Sequence, residues 1–598
     1  MASKYTVLQQ PVETLLSWIK SGEIAIPEIQ RPFVWKSSKV RDLIDSLYNG
    51  YPVGYIITWR NNDIRLKDGS LSAGKKILID GQQRITALTS AVIGKRVLNN
   101  EYKEVNIRIA YNPFEEKFEV LNKAIENNPL WIDDISPILT GEQSISAARR
   151  KFIEQNPGTD EDLVEQKLEA LKRITNQQIG IIELNSDLDI DIVTEIFIRI
   201  NQKGVKLSNA DFVMSKIASD EEHQGNKMRR MIDYFCRLVV DKSFNKHILD
   251  NDKDFASHDY YSVISWMKDG KDDLYIPDYL DVLRVALVYK FSRGKFSDLV
   301  ALLSGRDFEK RTFEKEIMVD SYKKLEEGLF AFFNKTNYQR FLMIVNSAGF
   351  IKHKLIVSKN SMNFAYALFL KFKDLGFTDS QTQKYVKKWL VFSLLVGRYS
   401  GSAESWLNED IKQINEKGIE EVLKTIETTI LSDSYFEYGL VNELESSSKI
   451  NNGYNIYLAA QCMYNTPAFL GKTMTIKSLI EQRGDEHHIF PKKYLEKNNF
   501  IQKEYNQVAN YVFTEQSTNI RIKDAAPLDY LTKIREQIKD GSPELGTIDT
   551  EEKLLQNMKA NDIPESILNA TFKDYNDFLH ERRQLMSERI KKYYYEGL

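Results

Sequence analysis

The chain has 598 residues, a formal net charge of −3 and two cysteines, Cys236 and Cys462. This length favours about three or four domains, and the near-balanced charge excludes a global basic field that would by itself indicate a nucleic-acid partner. Two cysteines cannot build a disulfide framework and suit a reducing cytoplasm. The chain begins without an apolar signal core, and its longest apolar run, Trp389–Val396, is too short to cross a bilayer. We therefore predict a cytoplasmic protein with no membrane partner.

The N-terminal region shows strand and helix patterns in turn. Ile26–Trp35 is typical of an extended loop with prolines, and it contains Gln30 and Arg31. Tyr55–Trp59 and Lys76–Ile79 predict two strands. Between the loop and the first of these strands, a helix is predicted by apolar residues at i, i+3, i+4, i+7 and i+8: Val40, Leu43, Ile44, Leu47 and Tyr48.

The strand at Lys76–Ile79 runs directly into Asp80-Gly81-Gln82-Gln83-Arg84, which is followed by a helical pattern. A junction of strand, glycine turn and helix presents free backbone N–H groups at the positive end of the helix dipole, where an anion such as a phosphate can bind. Arg84 can add a bidentate contact to that anion, and Asp80 can hold a metal or orient a water. The pattern alone is weak, because many surface turns share it.

The rest of this region alternates strand and helix patterns. Alternating apolar residues predict one half-buried strand through Val105, Ile107, Ile109 and Tyr111. Residues 144–175 predict helices whose core face consists of Leu163, Leu168, Leu171 and Ile174. Ile179–Leu184 predicts a buried strand, and the helix after it, with Ile192, Ile196 and Ile200 on one side, should end at the Asn201–Gly204 turn.

Four ordered segments, IPEIQRPFVW, GYIITW, ILIDGQQRITAL and FIRINQKGVKLSNADF, resemble the ParB/sulfiredoxin-like domain that opens GmrSD-type modification-dependent (type IV) restriction enzymes. The resemblance covers about residues 5–215. In that family the DGQQR segment is associated with nucleotide binding and hydrolysis. The resemblance implies a nucleoside triphosphate (GTP, ATP or CTP) bound by these residues: Asp80, Gly81, Gln82, Gln83 and Arg84, with Gln30 and Arg31. A structural clamp on the neighbouring loop stays open as the role of Gln30 and Arg31.

The middle of the chain, residues 216–430, predicts mainly helices. Apolar residues recur at helical spacing in segments such as 280–303, 361–373 and 381–396. The last of these is followed by Arg398–Ser402 (RYSGS), for which a turn that ends the helix is the favoured interpretation. No internal repeat or long linker separates the segments, so we expect the domains to pack against one another.

Two of the seven histidines, His487 and His488, stand side by side in Asp485–Leu495 (DEHHIFPKKYL). Adjacent residues of an extended segment point to opposite sides, so one imidazole can bind a metal while the other takes a proton near neutral pH. Asn510 and Asn519 follow at distances that a hairpin and then a helix can span. Two histidines near a proline can also form nothing more than a capped turn.

In this order His487-His488-Ile489-Phe490-Pro491, Asn510 and Asn519 resemble the ββα-metal (HNH) nuclease motif in its His-Asn-Asn form, over roughly residues 483–530. The resemblance implies that His488 is the general base, that Asn510 orients its imidazole, and that His487 and Asn519 hold a divalent metal. Many members have Asp in place of His487. Magnesium prefers oxygen ligands and imidazole suits manganese, nickel or zinc, so Mg²⁺ and Mn²⁺ both stay open.

Basic residues cluster at two places in the last part of the chain. Lys492, Lys493, Lys497 and Lys503 follow the histidine pair, and contacts to DNA are predicted for Lys492, Lys493 and Lys497 and for Lys523, which comes after Asn519. A second basic group lies in the C-terminal tail beside Tyr593–Tyr595: Arg582, Arg583, Arg589, Lys591 and Lys592. A solvated face is the alternative for each group, and proximity to the histidines favours contact with DNA for the first.

Together the two resemblances predict a multidomain α+β protein. Residues 1–215 would form a ParB/sulfiredoxin-like nucleotide-binding sensor domain, 216–430 a helical linking domain and 431–598 an HNH-type nuclease domain. The predicted function is nucleotide- and metal-dependent cleavage of modified or phage DNA, in a chain whose oligomeric state stays open. Two alternatives remain: a nucleotide-gated DNA-binding protein with a degenerate nuclease end, and an RNA-cleaving toxin.

Overall fold

A computed structural model describes residues 4–25, 35–60, 76–98, 104–185, 188, 209–220, 222–270, 274–482, 486–542 and 544–598. The chain divides into two compact units, residues 1–269 and 270–598. The first is a mixed α/β unit and the second is largely helical. Packing units need not coincide with sequence domains, so the division at 215 and 430 remains a prediction.

A five-stranded mixed sheet organises the first unit, in the order β1-β9-β3-β4-β2. The two central pairings are β3 with β9, which is parallel, and β3 with β4, which is antiparallel. The strands of this unit are β1 (Tyr5–Pro11), β2 (Ile24–Ala25), β3 (Ile56–Arg60), β4 (Lys76–Asp80), β5 (Val97–Leu98), β6 (Glu104–Val105), β7 (Ile109–Asn112), β8 (Lys117–Val120) and β9 (Gln178–Leu184). Strand β4 ends at Asp80, directly before the Gly81 turn.

Apolar residues of this sheet and of the helices between residues 12 and 172 form one core. The described helices of the unit are α1 (Val12–Ser21), α2 (Ser37–Tyr48), α3 (Gln82–Ala91), α4 (Lys123–Glu126), α5 (Ser136–Thr140), α6 (Ile145–Gln155), α7 (Glu161–Lys172), α8 (Asn209–Ser219), α9 (Gly225–Val240), α10 (Phe244–Asn251), α11 (Lys253–Ala256) and α12 (Asp259–Ile264). Helix α2 shows why the spacing argument works: Val40, Leu43, Ile44 and Leu47 are all buried in the core.

Most predicted elements of the first unit are confirmed, and two details are wrong. The expected strand through Val105–Tyr111 is two strands, because β6 ends at Val105 and pairs with β5, whereas β7 begins at Ile109 and pairs with β8. Leu163 is 41% exposed, and Val164 lies in the core instead. Val164 is spaced i, i+4, i+7 with Leu168 and Leu171, so Leu163 lies about 100° off that face. The predicted helix and turn at 189–204 lie outside the described residues.

In its described residues, the second unit is a helical assembly with one pair of short strands. Its described helices are α13 (Tyr279–Phe291), α14 (Phe296–Leu303), α15 (Lys315–Phe333), α16 (Lys335–Ser347), α17 (Lys359–Asp374), α18 (Asp379–Leu395), α19 (Ala403–Lys417), α20 (Ile419–Thr429), α21 (Leu440–Glu443), α22 (Asn452–Met463), α23 (Ile476–Glu481), α24 (Lys492–Lys497), α25 (Gln502–Tyr505), α26 (Gln516–Ile522), α27 (Pro527–Asp540), α28 (Glu551–Ala560) and α29 (Tyr575–Lys592). The strands are β10 (Glu486–His488) and β11 (Tyr511–Phe513). The predicted helical segment 280–303 is broken after α13, where Ser292 adopts φ +54°.

Two composition-based expectations can be compared with this structure. Cys236 and Cys462 are both buried free thiols. Among the described helices, none combines the length and the apolar composition that crossing a membrane requires.

Candidate functional site

The histidine pair lies on β10, which pairs antiparallel with β11. His487 is opposite Val512 and His488 is opposite Tyr511. Helix α26, which carries Asn519, starts shortly after β11 ends. This is the order of hairpin and helix that the spacing of the histidines and asparagines predicts, although α24 and α25 lie between the two strands.

His487 is almost fully buried, with 3% of its surface exposed. Its Nδ1 lies 2.8 Å from Asn519 Oδ1, whereas its buried Nε2 has no hydrogen-bond partner among the described residues. Burial lowers the pKa of His487 to about 4, although the contact with Asn519 opposes that shift. The imidazole is therefore neutral at pH 7, which is the form that can bind a metal.

By the chemistry of their donor atoms, an imidazole and an amide oxygen, His487 and Asn519 fit a divalent ion. Their Nδ1 and Oδ1 lie 2.8 Å apart, at hydrogen-bond distance. For both atoms to bind one ion, the imidazole proton would have to lie on Nε2. Among the described residues no cluster of three or more His, Cys, Asp or Glu side chains could hold a metal. Water or substrate oxygens would therefore have to complete the coordination. One imidazole and one amide oxygen suit Mn²⁺ better than Mg²⁺.

His488 is half-buried beside its neighbour and has a different partner. Its Nε2 lies 3.0 Å from Asn506 Oδ1, and its ring centroid is 4.8 Å from that of Tyr511. If Asn506 Oδ1 accepts from Nε2–H, then Nδ1 is the nitrogen that can accept a proton. Burial lowers the pKa of His488, with the Asn506 contact acting in the opposite direction. This imidazole is also neutral at pH 7.

Asn510 does not touch the His488 ring, contrary to the role implied by the resemblance. Its fully buried side chain accepts from Phe490 N–H at 2.9 Å and donates to the carbonyl oxygens of Phe490 and Tyr505, each at 3.1 Å. Asn510 therefore fixes the backbone after the histidine pair, and Asn506 is the amide that contacts the ring. Asn510 directly precedes β11, and its backbone carbonyl oxygen accepts from Ile489 N–H. Its side chain bonds to the same segment, which follows the histidine pair.

A cavity of about 440 Å³ opens at these residues. It is lined by Glu486, His487, His488, Pro491, Lys492, Lys493, Asn519, Lys523 and Asp524. Three of the four lysines predicted to bind DNA are thus at the site. Lys497 is not among the lining residues, and its ammonium pairs with Asp524 at 2.6 Å. The cavity brings together two imidazoles, one amide, three lysines and the carboxylates of Glu486 and Asp524.

Two further residues beside the cavity were missed from the sequence. Glu486 accepts from Tyr454 O–H at 3.2 Å and forms an ion pair with Lys449. The Lys449 ammonium also lies 4.4 Å from the centre of the Tyr511 ring. No sequence signal points to Lys449, because it lies well before the histidine motif, whereas Glu486 is two residues from His488 and so shares its side of the strand.

Arg582 was grouped from the sequence with a basic tail, yet it is fully buried. Its guanidinium donates to the carbonyl oxygens of Ala509 and Tyr511, each at 2.7 Å. A buried cation of this kind requires such acceptors. Helix α29 therefore fixes the start of β11, which is the strand opposite the histidine pair.

The predicted phosphate-binding turn lies in the first unit. Gly81 links β4 to α3 with φ +98°, and a Cβ there would lie 2.5 Å from Ile56 Cδ1. Arg84 Nη2 lies 3.3 Å from Asp80 Oδ2, and the same guanidinium donates to the carbonyl oxygen of Tyr55. Arg84 is therefore held at the turn by protein partners that an anion would have to replace.

The two glutamines of the turn are buried, Gln82 at 6% and Gln83 at 9% exposure. Gln82 Oε1 has no hydrogen-bond partner among the described residues. A buried amide oxygen without a partner costs free energy unless a ligand or water satisfies it. Gln30 and Arg31, the other predicted nucleotide-binding residues, lie outside the described residues.

Comparison with known proteins bears on both ends of the chain. Residues 12–218 match the family described as the GmrSD restriction endonuclease N-terminal domain, a match that includes the Asp80–Arg84 turn. The chain is also 22% identical over 637 aligned positions to an uncharacterized protein of Methanocaldococcus jannaschii, and the alignment covers 98% of this chain and 99% of the relative. The similarity to that relative therefore extends through both units.

Proposed function

We propose that this protein is a metal-dependent DNA endonuclease of a modification-dependent restriction system, and that cleavage takes place in the cavity at His487 and His488. The matched N-terminal family is named as a restriction endonuclease, which supports DNA as the substrate. The observation that carries the proposal is the pair of neutral imidazoles in one cavity, His487 beside the amide oxygen of Asn519 and His488 held at Nε2 by Asn506, so that its Nδ1 can accept a proton. In this reading β10, β11 and α26 form a ββα-metal nuclease site.

The residues of the cavity divide the reaction between them. His488 Nδ1 takes a proton from a water, whose oxygen attacks phosphorus while the bond to the leaving oxygen breaks and that oxygen gains a proton from solvent. His487 and Asn519 would hold a divalent ion, Mn²⁺ or Mg²⁺. When bound, such an ion stabilises charge on the phosphate and on the leaving oxygen. Lys492 and Lys493 attract neighbouring phosphates of the DNA backbone.

We also propose that the Asp80–Arg84 turn binds a nucleoside triphosphate. The helix N-terminus after Gly81 favours a phosphate, and Gln82 Oε1 needs a partner. Arg84 can exchange its contact with Asp80 for a charge-assisted contact to a phosphate. GTP, ATP and CTP all remain candidates, because the base would be read by residues other than those of the turn.

The first prediction concerns His488→Ala. Loss of the proton acceptor should lower DNA cleavage by roughly 10²–10⁴-fold. The measurement is relaxation and linearisation of supercoiled plasmid, and of modified and unmodified phage DNA, with Mn²⁺ or Mg²⁺ and with each nucleotide. His580→Ala, the same change at an exposed position of α29, is the matched control and should cut at the wild-type rate.

Other outcomes of that experiment would assign other functions. Equal cleavage by His488→Ala and wild type would show that the active site lies elsewhere. A plasmid that shifts in mobility but is never cut would favour a nucleotide-gated DNA-binding protein. Cleavage of RNA in preference to every DNA tested would favour an RNA-cleaving toxin.

A further inference from the structure

Lys523 has a backbone conformation that lysine rarely adopts. It follows the last residue of α26 with φ +54° and ψ −113°. Side chains with a Cβ are strained in this region of φ and ψ, whereas glycine is not. Lys523 N–H donates to the carbonyl oxygen of Asn519 at 3.3 Å, so the strained turn closes the helix that carries a proposed metal ligand. A turn that only had to end this helix would be more stable with glycine.

The Lys523 side chain is exposed and lines the cavity together with His487, His488 and Asn519. Among the described residues its ammonium makes no ion pair or hydrogen bond. Of the neighbouring cations, Lys497 pairs with Asp524 at 2.6 Å and Lys492 approaches Glu496 at 3.7 Å. Lys493, which also lines the cavity, has no ion pair among the described residues either, but it lies at an ordinary helical position. Within the described part of the chain, Lys523 therefore presents an unneutralised charge to the cavity, from a position where lysine is costly.

From the strained turn and the unneutralised charge we infer that Lys523 is a catalytic residue whose ammonium contacts the phosphate under attack. This inference rests on the proposed nuclease function and sharpens the predicted role of Lys523, which was contact with DNA in general. A fixed cation stabilises charge that grows on the phosphate oxygens in the transition state. A cation that touches flanking phosphates strengthens binding of substrate and transition state alike. Strain at a site that contributes to the reaction is retained because the rest of the fold offsets it.

Three substitutions separate strain from charge. Lys523→Gly relieves the backbone and removes the charge, so we expect the melting temperature to rise by a few degrees and kcat to fall by roughly 10²-fold. Lys523→Met keeps the strain and the side-chain length, so kcat should fall as far without a rise in melting temperature. Lys523→Arg keeps strain and charge and should retain most of the activity. KM should change little in all three.

Two controls test the loss of a cation and the introduction of a glycine separately. Lys493→Met removes a cation from the same cavity at a helical position of α24, and it should raise KM more than it lowers kcat. Asn499→Gly introduces glycine at another positive φ, +69°, outside the residues that line the cavity. Since asparagine tolerates that conformation, this change should alter neither the melting temperature nor kcat appreciably.

The measurements are thermal unfolding and steady-state plasmid cleavage with Mn²⁺. A Lys523→Gly protein that is stabilised and cuts at the wild-type rate would overturn the inference, because the turn would then be a strained helix end and nothing more. A Lys523→Gly protein whose melting temperature does not rise would overturn the inference as well, because it would show that the backbone at Lys523 is not strained. Wild-type protein that cuts none of the DNAs refutes the proposed function itself, whereas normal cleavage by Lys523→Met refutes only the role of Lys523.

Discussion

Asn506 and Asn510 illustrate at the scale of single residues what sequence can and cannot predict. The motif placed His487, His488 and Asn519 at one site, and the structure brings all three to one cavity. The partner of the His488 ring could not be predicted, because it depends on how the segment between β10 and β11 is turned. Asn506 at the end of α25 reaches the ring, and Asn510, only four residues later, bonds to backbone groups instead.

These contacts predict different consequences for the two asparagines. Asn506→Ala removes one hydrogen bond that holds the His488 ring and its tautomer, so kcat should fall roughly 10-fold with little change in melting temperature. Asn506→Asp keeps an acceptor at Nε2 and should restore part of the activity. Asn510→Ala removes the side-chain partner of the buried Phe490 N–H and one of the donors to the Tyr505 carbonyl oxygen, and it should cost about 1–3 kcal/mol of stability.

Cleavage rates and thermal unfolding of these variants provide the measurement. Asn498→Ala is the matched control, because Asn498 also follows a short helix of this segment but donates to the carbonyl oxygen of Tyr494. Asn506→Ala that cuts as fast as wild type would show that the ring needs no partner at Nε2.

At the scale of elements, regular apolar patterns predicted the positions of helices and strands well, whereas the breaks within those patterns were not predicted. Helix α2 and strand β9 lie where they were predicted, because the apolar residues of α2 define one face and those of β9 form a short continuous apolar run. The strand expected through Val105–Tyr111 failed, since its alternation continues across two strands that pair with different partners. The break at Ser292 is indicated in the sequence only by Gly294, two residues later, because Ser292 itself is the residue with positive φ. The conformations of such interruptions are set by tertiary packing that a local pattern does not contain.

Helix α13 also begins with a feature that periodicity does not show. Asp278 and Asp281 form a capping box, in which Asp281 accepts from Asp278 N–H at 2.9 Å and Asp278 accepts from Asp281 N–H at 3.2 Å. Asp281 is only 4% exposed. Burial, and then the nearby charge of Asp278, raise the pKa of Asp281 to about 6, although Lys359 lies 3.2 Å away and opposes this rise.

The raised pKa of Asp281 predicts a pH dependence of stability. The pKa of the Asp281 carboxyl group is about 3.9 in the unfolded chain and about 6 in the folded chain, so the folded state binds the proton more tightly. The stabilisation that this proton gives is complete below about pH 3.9 and is lost as pH rises through about 6, by up to about 3 kcal/mol. Asp281→Asn should remove this part of the slope.

The measurement is the melting temperature of wild type and of Asp281→Asn from pH 4 to pH 7. The difference between the two curves gives the contribution of the Asp281 carboxyl group. Asp379→Asn is the control, since Asp379 begins α18 with an exposed carboxylate. Parallel curves for wild type and Asp281→Asn would mean that Asp281 ionises normally in the folded state.

At the scale of the whole molecule, the sequence predicted two chemically distinct sites, and each falls in a different compact unit. The Asp80–Arg84 turn lies in the first unit and the histidine cavity in the second. What could not be foreseen is support from distant segments, such as the contact of Arg582 with the carbonyl oxygens of Ala509 and Tyr511. Contacts between residues so far apart in sequence follow from the folded chain and leave no spacing pattern in it.

Because the two proposed sites share one chain, we predict that nucleotide binding at Asp80–Arg84 is coupled to DNA cleavage at the histidine cavity. If the nucleotide at the turn and DNA at the cavity favour different states of the protein, each changes the binding of the other. Arg84→Ala should remove a charge-assisted contact to phosphate worth about 1.5–3 kcal/mol, or roughly a 10- to 150-fold loss of nucleotide affinity. Coupling predicts that cleavage by this variant also changes, although Arg84 and His488 belong to different units. Nucleotide can either license or restrain cutting, so the direction is the result to be measured.

The decisive measurement is plasmid cleavage by wild type and Arg84→Ala across titrations of GTP, ATP and CTP, with nucleotide binding measured in parallel. Arg150→Ala, an exposed arginine of α6 in the same unit, controls for loss of a positive charge, and melting temperatures control for loss of the Arg84 contacts with Asp80 and Tyr55. A variant that has lost nucleotide binding but follows the wild-type cleavage curve would leave two independent activities. A cleavage curve that shifts only at the nucleotide concentrations where nucleotide binding shifts would make the first unit the regulator of the second. The substitution in the first unit would then change the rate at which the second unit cuts the phosphodiester bond.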